Sequence, residues 1–558
     1  MATIVTKKIL IFLVLIIFVG LLLRLYKLDQ LPLYGDEVDI GYNAYSILKT
    51  TRDVTGHFLP IYLTTFIDIK SSLLAYFSTV PIHFLGLNEI SIRLIPALSG
   101  VMIVVLIFLI VMELFKNKTI ALMASFLAAV SPWAIHFSRG AFEANLMLFL
   151  LLLGIYLFLK SFGNYNLLFF SSLSFSLSLY AYHAAKVLVP LMILGLIIFF
   201  GNFLKGIGRR IIFVSLVFLI FSLPIFYASI FSRGQERFSE VSVFSDQKII
   251  EQIILKRQDD SQSSLSSRFF HNKAEGFLNK IFANYLESFS PQFLFLYGDP
   301  NFRHSSGGGE VYALYLPFLL IGLFFLFKER QNYQKFFLYW LLIAAMPAAI
   351  TKDGGQHAIR LLFLMPVILI ISAFGFYNFI FWVNRVFNRK SIFLLYFALI
   401  AVFIFSFITY LHQYFIHYPK ESWRFWAYGY KEAMLSTKEL EKDYDYIWIN
   451  NSYEPSILWF LFWNKYEPKQ IHKLDIKKGI KFVRLGKYYF YKPSEKDWKY
   501  GGVQGVLKNN RNTLVLASAK DDTAGDKDLR DFPLKGTRLL KTITNPYNQP
   551  IFYLLTNE

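Results

Sequence analysis

No cysteine occurs among the 558 residues, which excludes a disulfide framework and any thiolate-ligated metal. An internal repeat is also missing, and the only biased tract is the Ser-rich "DDSQSSLSS" at 259–267. No glycine-rich loop ends in Lys-Ser or Lys-Thr. "SSGGGE" at 305–310 follows no predicted strand and reads as a flexible turn, so a nucleotide-phosphate loop is excluded. Charge is sparse at 17% and unbalanced, with 57 Lys and Arg against 38 Asp and Glu. A net charge of +19 can signal nucleic acid, but here the basic residues sit in short links between apolar runs rather than along one soluble face. That is the positive-inside pattern of a membrane protein, and it speaks against a nucleic-acid partner.

What is abundant is apolar: 55% of the chain is hydrophobic, with 60 Phe and 34 Tyr. A span needs about 20 apolar residues. Eleven segments meet that need, near 8–26, 93–115, 118–137, 144–161, 165–183, 186–204, 210–231, 311–328, 335–351, 360–383 and 391–415. The fold class expected is an α-helical polytopic membrane protein. The first run, Ile9 to Leu23 after Lys7 and Lys8, has no small-x-small cleavage site and reads as an uncleaved signal anchor.

A twelfth stretch, 71–87, is interrupted by Pro81 and His83. If it lies along the interface, the basic links at Lys116 and Lys118, Lys160, Lys205 to Arg210, Lys328 to Lys335 and Arg385 to Lys390 all fall on the side of Lys7 and Lys8. That side is the cytoplasm. Eleven spans are therefore expected, with the N-terminus cytoplasmic and the C-terminal region extracytoplasmic. The compact connections and absent cysteine fit a prokaryotic plasma membrane. Residues 1–415 form the expected membrane domain. From 416 onward, the short runs "YDYIWIN", "KYYFYK", "NTLVLAS" and "PIFYLLT" alternate with polar turns, which predicts a small α/β domain.

With this parity the chemically unusual residues share the outer side. "LPLYGDEVDIGYNAYSILKT" sets Asp36 beside Glu37, with Asp39 close behind. Two carboxylates can divide labour, one as general base and one holding a hydrogen bond or a metal ion; an acidic cap on a short helix is the plainer alternative. Arg139 and Glu143, four apart, share a face if helical and form a salt bridge, or Glu143 joins the acidic pair around a cation. Tyr182, His183 and Lys186 fall in "YAYHAAK", Arg303 and His304 in "GDPNFRHSSGGGE", and His357 and Arg360 in "KDGGQHAIR". Arg and Lys there suit capture of a phosphate, although any one of them can be a snorkelling side chain. Tyr34, Tyr42 and Tyr45 read as ordinary interface aromatics.

"LYGDE", "NEISIRLIPALSGV", "SPWAIHFSRGAFEANL" and "AAITKDGGQHAIRLLFLMP", in this order and membrane setting, resemble the GT-C glycosyltransferases related to protein O-mannosyltransferases and the lipid A aminoarabinose transferase. The resemblance covers most of residues 8–415. It implies transfer of a sugar, with inversion, from a polyprenyl-phosphate donor on the external leaflet to a hydroxyl acceptor on a lipid, glycan or protein. By analogy Asp36 deprotonates the acceptor and Glu37 helps position it. Arg139 and Glu143 shape the site or assist with a cation, while His357 and Arg360, with Lys186 and Arg303, neutralise the departing lipid phosphate. Relatives differ in metal use and only carboxylates and histidines are available here, so a divalent cation is the one cofactor left open, and a tightly bound metal is not expected. A transporter, flippase or ligase of lipid-linked glycans is the alternative, although transporters place ionisable residues near the midplane and often carry repeats.

Overall fold

The computed structural model describes residues 7–558 other than 65, 67, 207, 209, 232–234, 236–238, 261–264, 329–330, 473, 475–481, 492–501, 521, 523–528 and 532–533. It divides into two compact units, one made of residues 1–26 and 95–415, the other of 27–94 and 416–558. The C-terminal region thus shares its unit with the segment that carries Asp36, a grouping the sequence does not suggest.

The first unit is helical. A helix stands at each of the eleven apolar segments, but their lengths differ. Among the described residues six helices are long and apolar enough to cross a membrane: Lys7–Leu25, Glu89–Phe115, Glu143–Lys160, Arg210–Phe231, Leu364–Val386 and Arg389–Glu421. Lys118–Val130 with Pro132–Arg139 makes a seventh if the pair, bent by 53°, is one span. Leu167–Ala181, Ala185–Phe200 and Tyr315–Lys328 are shorter apolar helices. The outer helices expose Leu10, Phe12, Leu15, Phe393, Phe397 and Phe405. Such continuous apolar surface is stable against lipid and not against water.

Two arginines close helix ends in this unit. Arg24, fully buried, donates to Gly20 O at 3.0 Å, Ala129 O at 3.1 Å and Ala128 O at 3.2 Å, the last carbonyls of Lys118–Val130. The bend that follows has a local cause: Ser131 precedes Pro132, is pushed to an extended ψ of 128°, and ends the helix. Arg139 donates to Leu23 O at 3.0 Å, Arg24 O at 3.3 Å and Tyr26 O at 2.6 Å, at the end of Lys7–Leu25. Carbonyls orphaned at a helix C-terminus thus meet fixed cations.

In the second unit, helix Gly35–Thr50 packs against Leu73–Leu85 and Ser456–Trp463. Leu73–Leu85, with Pro81 inside it, has 13 residues, about 20 Å at 1.5 Å per residue against a hydrocarbon core of about 30 Å. Strands β1 (Tyr62–Thr64) and β2 (Ile69–Ser71) form an antiparallel pair. A six-stranded sheet follows from β3 (Tyr446–Asn450), β4 (Phe482–Leu485), β5 (Tyr488–Tyr491), β6 (Thr513–Ser518), β7 (Thr537–Thr544) and β8 (Pro550–Asn557), in the order β4-β5-β3-β6-β8-β7. The β3 strand runs parallel to β5 and β6, and the remaining pairs are antiparallel. All six residues of β6 are buried, as an interior strand requires. Helices Tyr430–Leu440, Ser456–Trp463 and Gly502–Asn509 complete the α/β domain expected there.

Candidate functional site

Asp36 and Glu37 occupy the first turn of helix Gly35–Thr50, where backbone N–H groups favour anions. Adjacent helical residues point about 100° apart, and the two carboxylates go to different partners. Glu37, fully buried, pairs bidentately with Arg93, Oε1 to Nε at 2.7 Å and Oε2 to Nη2 at 2.6 Å. The same guanidinium donates to Leu28 O at 2.9 Å, Leu31 O at 2.8 Å and Pro32 O at 2.9 Å. Glu37 thereby ties the loop at 28–32 to the helix start.

Asp36 faces the other way, with 38% of its side chain exposed, toward Lys70 on β2 at 3.0 Å. Lys70 is buried and also meets Asp39 Oδ2 at 3.2 Å and the Asp68 carboxylate. Asp39, one helical turn after Asp36, is fully buried, and its carboxylate accepts from Asn43 Nδ2 at 3.0 Å. Burial acts to discharge the Lys70 ammonium, but Asp36, Asp39 and Asp68 outweigh it and hold the Lys70 pKa well above its ordinary value. Three carboxylates around one ammonium leave two negative charges in excess, and Asp36 is the most exposed of the three. Asp39 was noted in sequence only as a neighbour of the pair, at i, i+3 from Asp36, and Asp68, Lys70 and Arg93 were not singled out. Tyr34 and Tyr42, read as interface aromatics, are core residues: Tyr34 packs edge-on to Trp426 at 5.2 Å, and Tyr42 Oη donates to Tyr466 O at 2.9 Å.

The other candidates lie in the first unit. Arg139 and Glu143 do not share one continuous helix: Pro132–Arg139 ends at Gly140, and Glu143 opens Glu143–Lys160. Arg139 is committed to the carbonyls named above, with its guanidinium 4.9 Å from the Phe415 ring. His183 Nδ1 and Lys186 Nζ lie 3.1 Å apart, and Tyr182 flanks the pair with its ring 6.4 Å from that of His183.

The loop 298–310 brings three groups together. Asp299 Oδ2 accepts from Ala358 N–H at 2.8 Å and lies 3.1 Å from His304 Nδ1 and 3.8 Å from His357 Nδ1. Asp299 Oδ1 accepts from Asn301 N–H at 2.8 Å. The two imidazoles stack with centroids 4.7 Å apart. His136 Nε2 reaches Arg303 O at 2.8 Å, and Arg360, three residues beyond His357, donates to Thr351 Oγ1 at 2.8 Å. Asp299 N–H donates to Glu310 Oε1 at 3.1 Å. Burial first, then the Asp299 charge, pushes the Glu310 carboxyl well above its ordinary pKa.

"SSGGGE" is a packed turn rather than a loose one. A Cβ on Gly309 would lie 2.3 Å from the Phe295 carbonyl carbon, and Gly298, at φ +70°, would meet Gly308 O at 2.4 Å. Asp299 and His136 are the residues that sequence reading missed here; "GDPNFRH" contains the first, and only the fold joins it to His357. Separately, the C-terminal domain carries a groove of about 690 Å³ whose lining includes Trp423, Tyr428, Tyr453, Arg424, Glu454 and Lys520.

Residues 70–227 match the family described as dolichyl-phosphate-mannose-protein mannosyltransferase. No curated protein matches the chain by sequence. Among solved structures, ArnT from Cupriavidus metallidurans bound to undecaprenyl phosphate superposes with a TM-score of 0.52 at 11% identity, over 99% of this chain and 98% of that one. The archaeal oligosaccharyltransferase AglB from Archaeoglobus fulgidus, in complex with an inhibitory peptide and a dolichol-phosphate, gives 0.49 at 15% identity over 83% of this chain. This chain spans 64% of that protein's length. The chain is a helical, multi-pass membrane protein whose fold is similar to that of ArnT from end to end, and its residues 70–227 resemble the mannosyltransferase family.

Proposed function

We propose that the protein moves a sugar, with inversion, from a polyprenyl-phosphate carrier to a hydroxyl acceptor on the extracytoplasmic side of the plasma membrane. The observation that supports this most is Asp36: a carboxylate with 38% of its side chain exposed, fixed at a helix start by a charge cluster in which Lys70 and Asp39 are buried. An inverting transfer needs one base. As the acceptor oxygen bonds to the anomeric carbon and the bond to phosphate oxygen breaks, Asp36 takes the hydroxyl proton and the polyprenyl phosphate leaves with its charge.

On the sequence resemblance alone, His357 and Arg360, with Lys186 and Arg303, are the cations assigned to that charge. Lys70 is not, because three carboxylates already claim it. Glu37 takes a positioning role through Arg93. The aromatic groove of the C-terminal domain is the candidate place for the acceptor.

The test is turnover of a radiolabelled polyprenyl-phosphate sugar by the purified protein in lipid, with the anomeric configuration of the product determined. The reading expects free polyprenyl phosphate and an inverted product. Movement of an intact lipid-linked glycan across the bilayer, with no bond cleaved, would contradict it and favour a transporter.

A further inference from the structure

We propose that the groove of the C-terminal domain is a saccharide site, and that the acceptor of the proposed transfer is therefore a glycan hydroxyl. Its place in the sheet marks it as a site. In the order β4-β5-β3-β6-β8-β7, the chain leaving β3 continues to β5 on one side and the chain leaving β6 continues to β7 on the other. The crossover helices take opposite faces. Phe460 of Ser456–Trp463 packs on Tyr488 and Phe490, with ring centroids 4.5 and 5.3 Å away, and these two residues pair with Ile447 and Ile449 of β3. Val503 and Val506 of Gly502–Asn509 pack with Trp448 and Val515 on the other face. The carboxyl ends of β3 and β6 thus part at a topological switch point, where open α/β sheets leave a crevice for ligands. The groove of about 690 Å³ occupies it: Tyr453 and Glu454 follow β3, and Ala519 and Lys520 follow β6.

The lining selects the occupant. Trp423 and Tyr428 are half-buried and Tyr453 is 42% exposed, so three rings offer flat surface to a ligand. A pyranose has an apolar C–H face that stacks on such rings and a rim of hydroxyls that both donate and accept. Arg424 donates to such a rim, Glu454 accepts from it, and the Gln549 amide does both. Parts of this lining are fixed in advance. Glu454 N–H donates to Tyr430 Oη at 3.3 Å, Tyr430 stacks on Trp459 at 4.3 Å, and Asn545 Nδ2 donates to Gln549 Oε1 at 2.9 Å.

Other occupants fit less well. Close approach of a nucleotide phosphate needs a glycine-rich turn after the first strand, and the turn after β3 is "NSYEPS", without glycine and with Glu454 in the lining. An extended peptide adds to a sheet edge, whereas the groove lies at strand ends and the edge strands are β4 and β7. Saccharide binding stands on the groove alone; the acceptor role rests on the transferase reading above.

The test applies fluorescently labelled full-length protein in nanodiscs to a printed array of defined neutral and acidic oligosaccharides, and titrates the best-retained compound in solution. The expected result is saturable binding that weakens at least 10-fold in Trp423→Ala and Tyr453→Ala. It is unchanged in Tyr446→Ala, whose exposed ring lies at the opposite end of β3. If the first two variants fail to fold, Arg424→Gln and Lys520→Gln, both at exposed positions, replace them with the same loss expected. No oligosaccharide retained, or retention indifferent to the groove substitutions, overturns the site. The bound saccharide is then offered a radiolabelled polyprenyl-phosphate sugar. Label transferred to it supports the acceptor role, and donor turnover that leaves it unlabelled overturns that role. Saccharide binding without any donor turnover supports the site and counts against the transferase reading.

Discussion

Along a helix, each residue turns about 100° from the last, and at Asp36 and Glu37 that turn separates a fixed charge from an exposed one. Glu37 and Arg93 form a fully buried pair, and Arg93 also satisfies three backbone carbonyls. Removing one member of such a pair costs about 3 to 5 kcal/mol, because the other charge stays buried. Glu37→Gln and Arg93→Met are therefore expected to lower the thermal midpoint sharply, while Asp36→Asn, at a partly exposed ion pair worth about 1 kcal/mol or less, leaves it nearly unchanged. A second prediction concerns Glu310. Its folded pKa is raised above the ordinary 4.5, so the folded state binds the proton more tightly than the unfolded chain does. Stability from this group is present below about pH 4.5 and declines as pH rises toward the folded value. Glu310→Gln, which keeps an oxygen for Asp299 N–H, should flatten that decline and raise the thermal midpoint at pH 8 relative to the parent. The acidic pair was legible in sequence as a place of interest. The division between its members was not, because Arg93 and Lys70 reach it only through the fold.

At the scale of elements, helix Tyr315–Lys328 lies against Leu364–Val386 with almost no side chain between them. A Cβ at Gly375 would stand 1.8 Å from Phe318 O, and one at Gly322 would stand 2.1 Å from Ile371 O. Small residues allow this backbone approach, which in lipid supplies packing where hydrophobic force between helices is weak. Overpacking a core costs about 1 to 3 kcal/mol when side chains can yield, and here the obstacle is backbone. Gly375→Leu is expected to exceed that range, seen as loss of the monodisperse fraction on gel filtration. The apolar runs located a helix at each of eleven segments, and the four β-rich runs located β3, β5, β6 and β8. The strands β4 and β7 went unseen, since β7 alternates buried and exposed residues irregularly. The Arg139–Glu143 spacing suggested one helix face, but the chain turns extended at Gly140 and Phe142, and a periodicity rule has no means of sensing that break.

For the whole molecule, the grouping of residues 27–94 with 416–558 was hidden because it depends on contacts between residues hundreds apart. Trp459 Nε1 donates to Leu33 O at 3.3 Å and Lys431 pairs with Glu89 at 2.6 Å, contacts that no local pattern encodes. Orientation across the membrane is a separate proposal, and the absence of cysteine makes it straightforward to test. With the N-terminus inside and the C-terminal domain outside, Lys535→Cys should react with a membrane-impermeant maleimide on intact cells, and Lys390→Cys should react only after permeabilisation. The reverse labelling would contradict the assignment.

The most direct measurement is single-turnover transfer from a radiolabelled polyprenyl-phosphate sugar by wild type and Asp36→Asn, at matched folded protein and saturating donor. The account predicts that donor binding persists while the transfer rate falls by about 10² to 10⁴-fold, the usual contribution of a general base. A transfer rate unchanged in Asp36→Asn would contradict the assignment of Asp36 as the base.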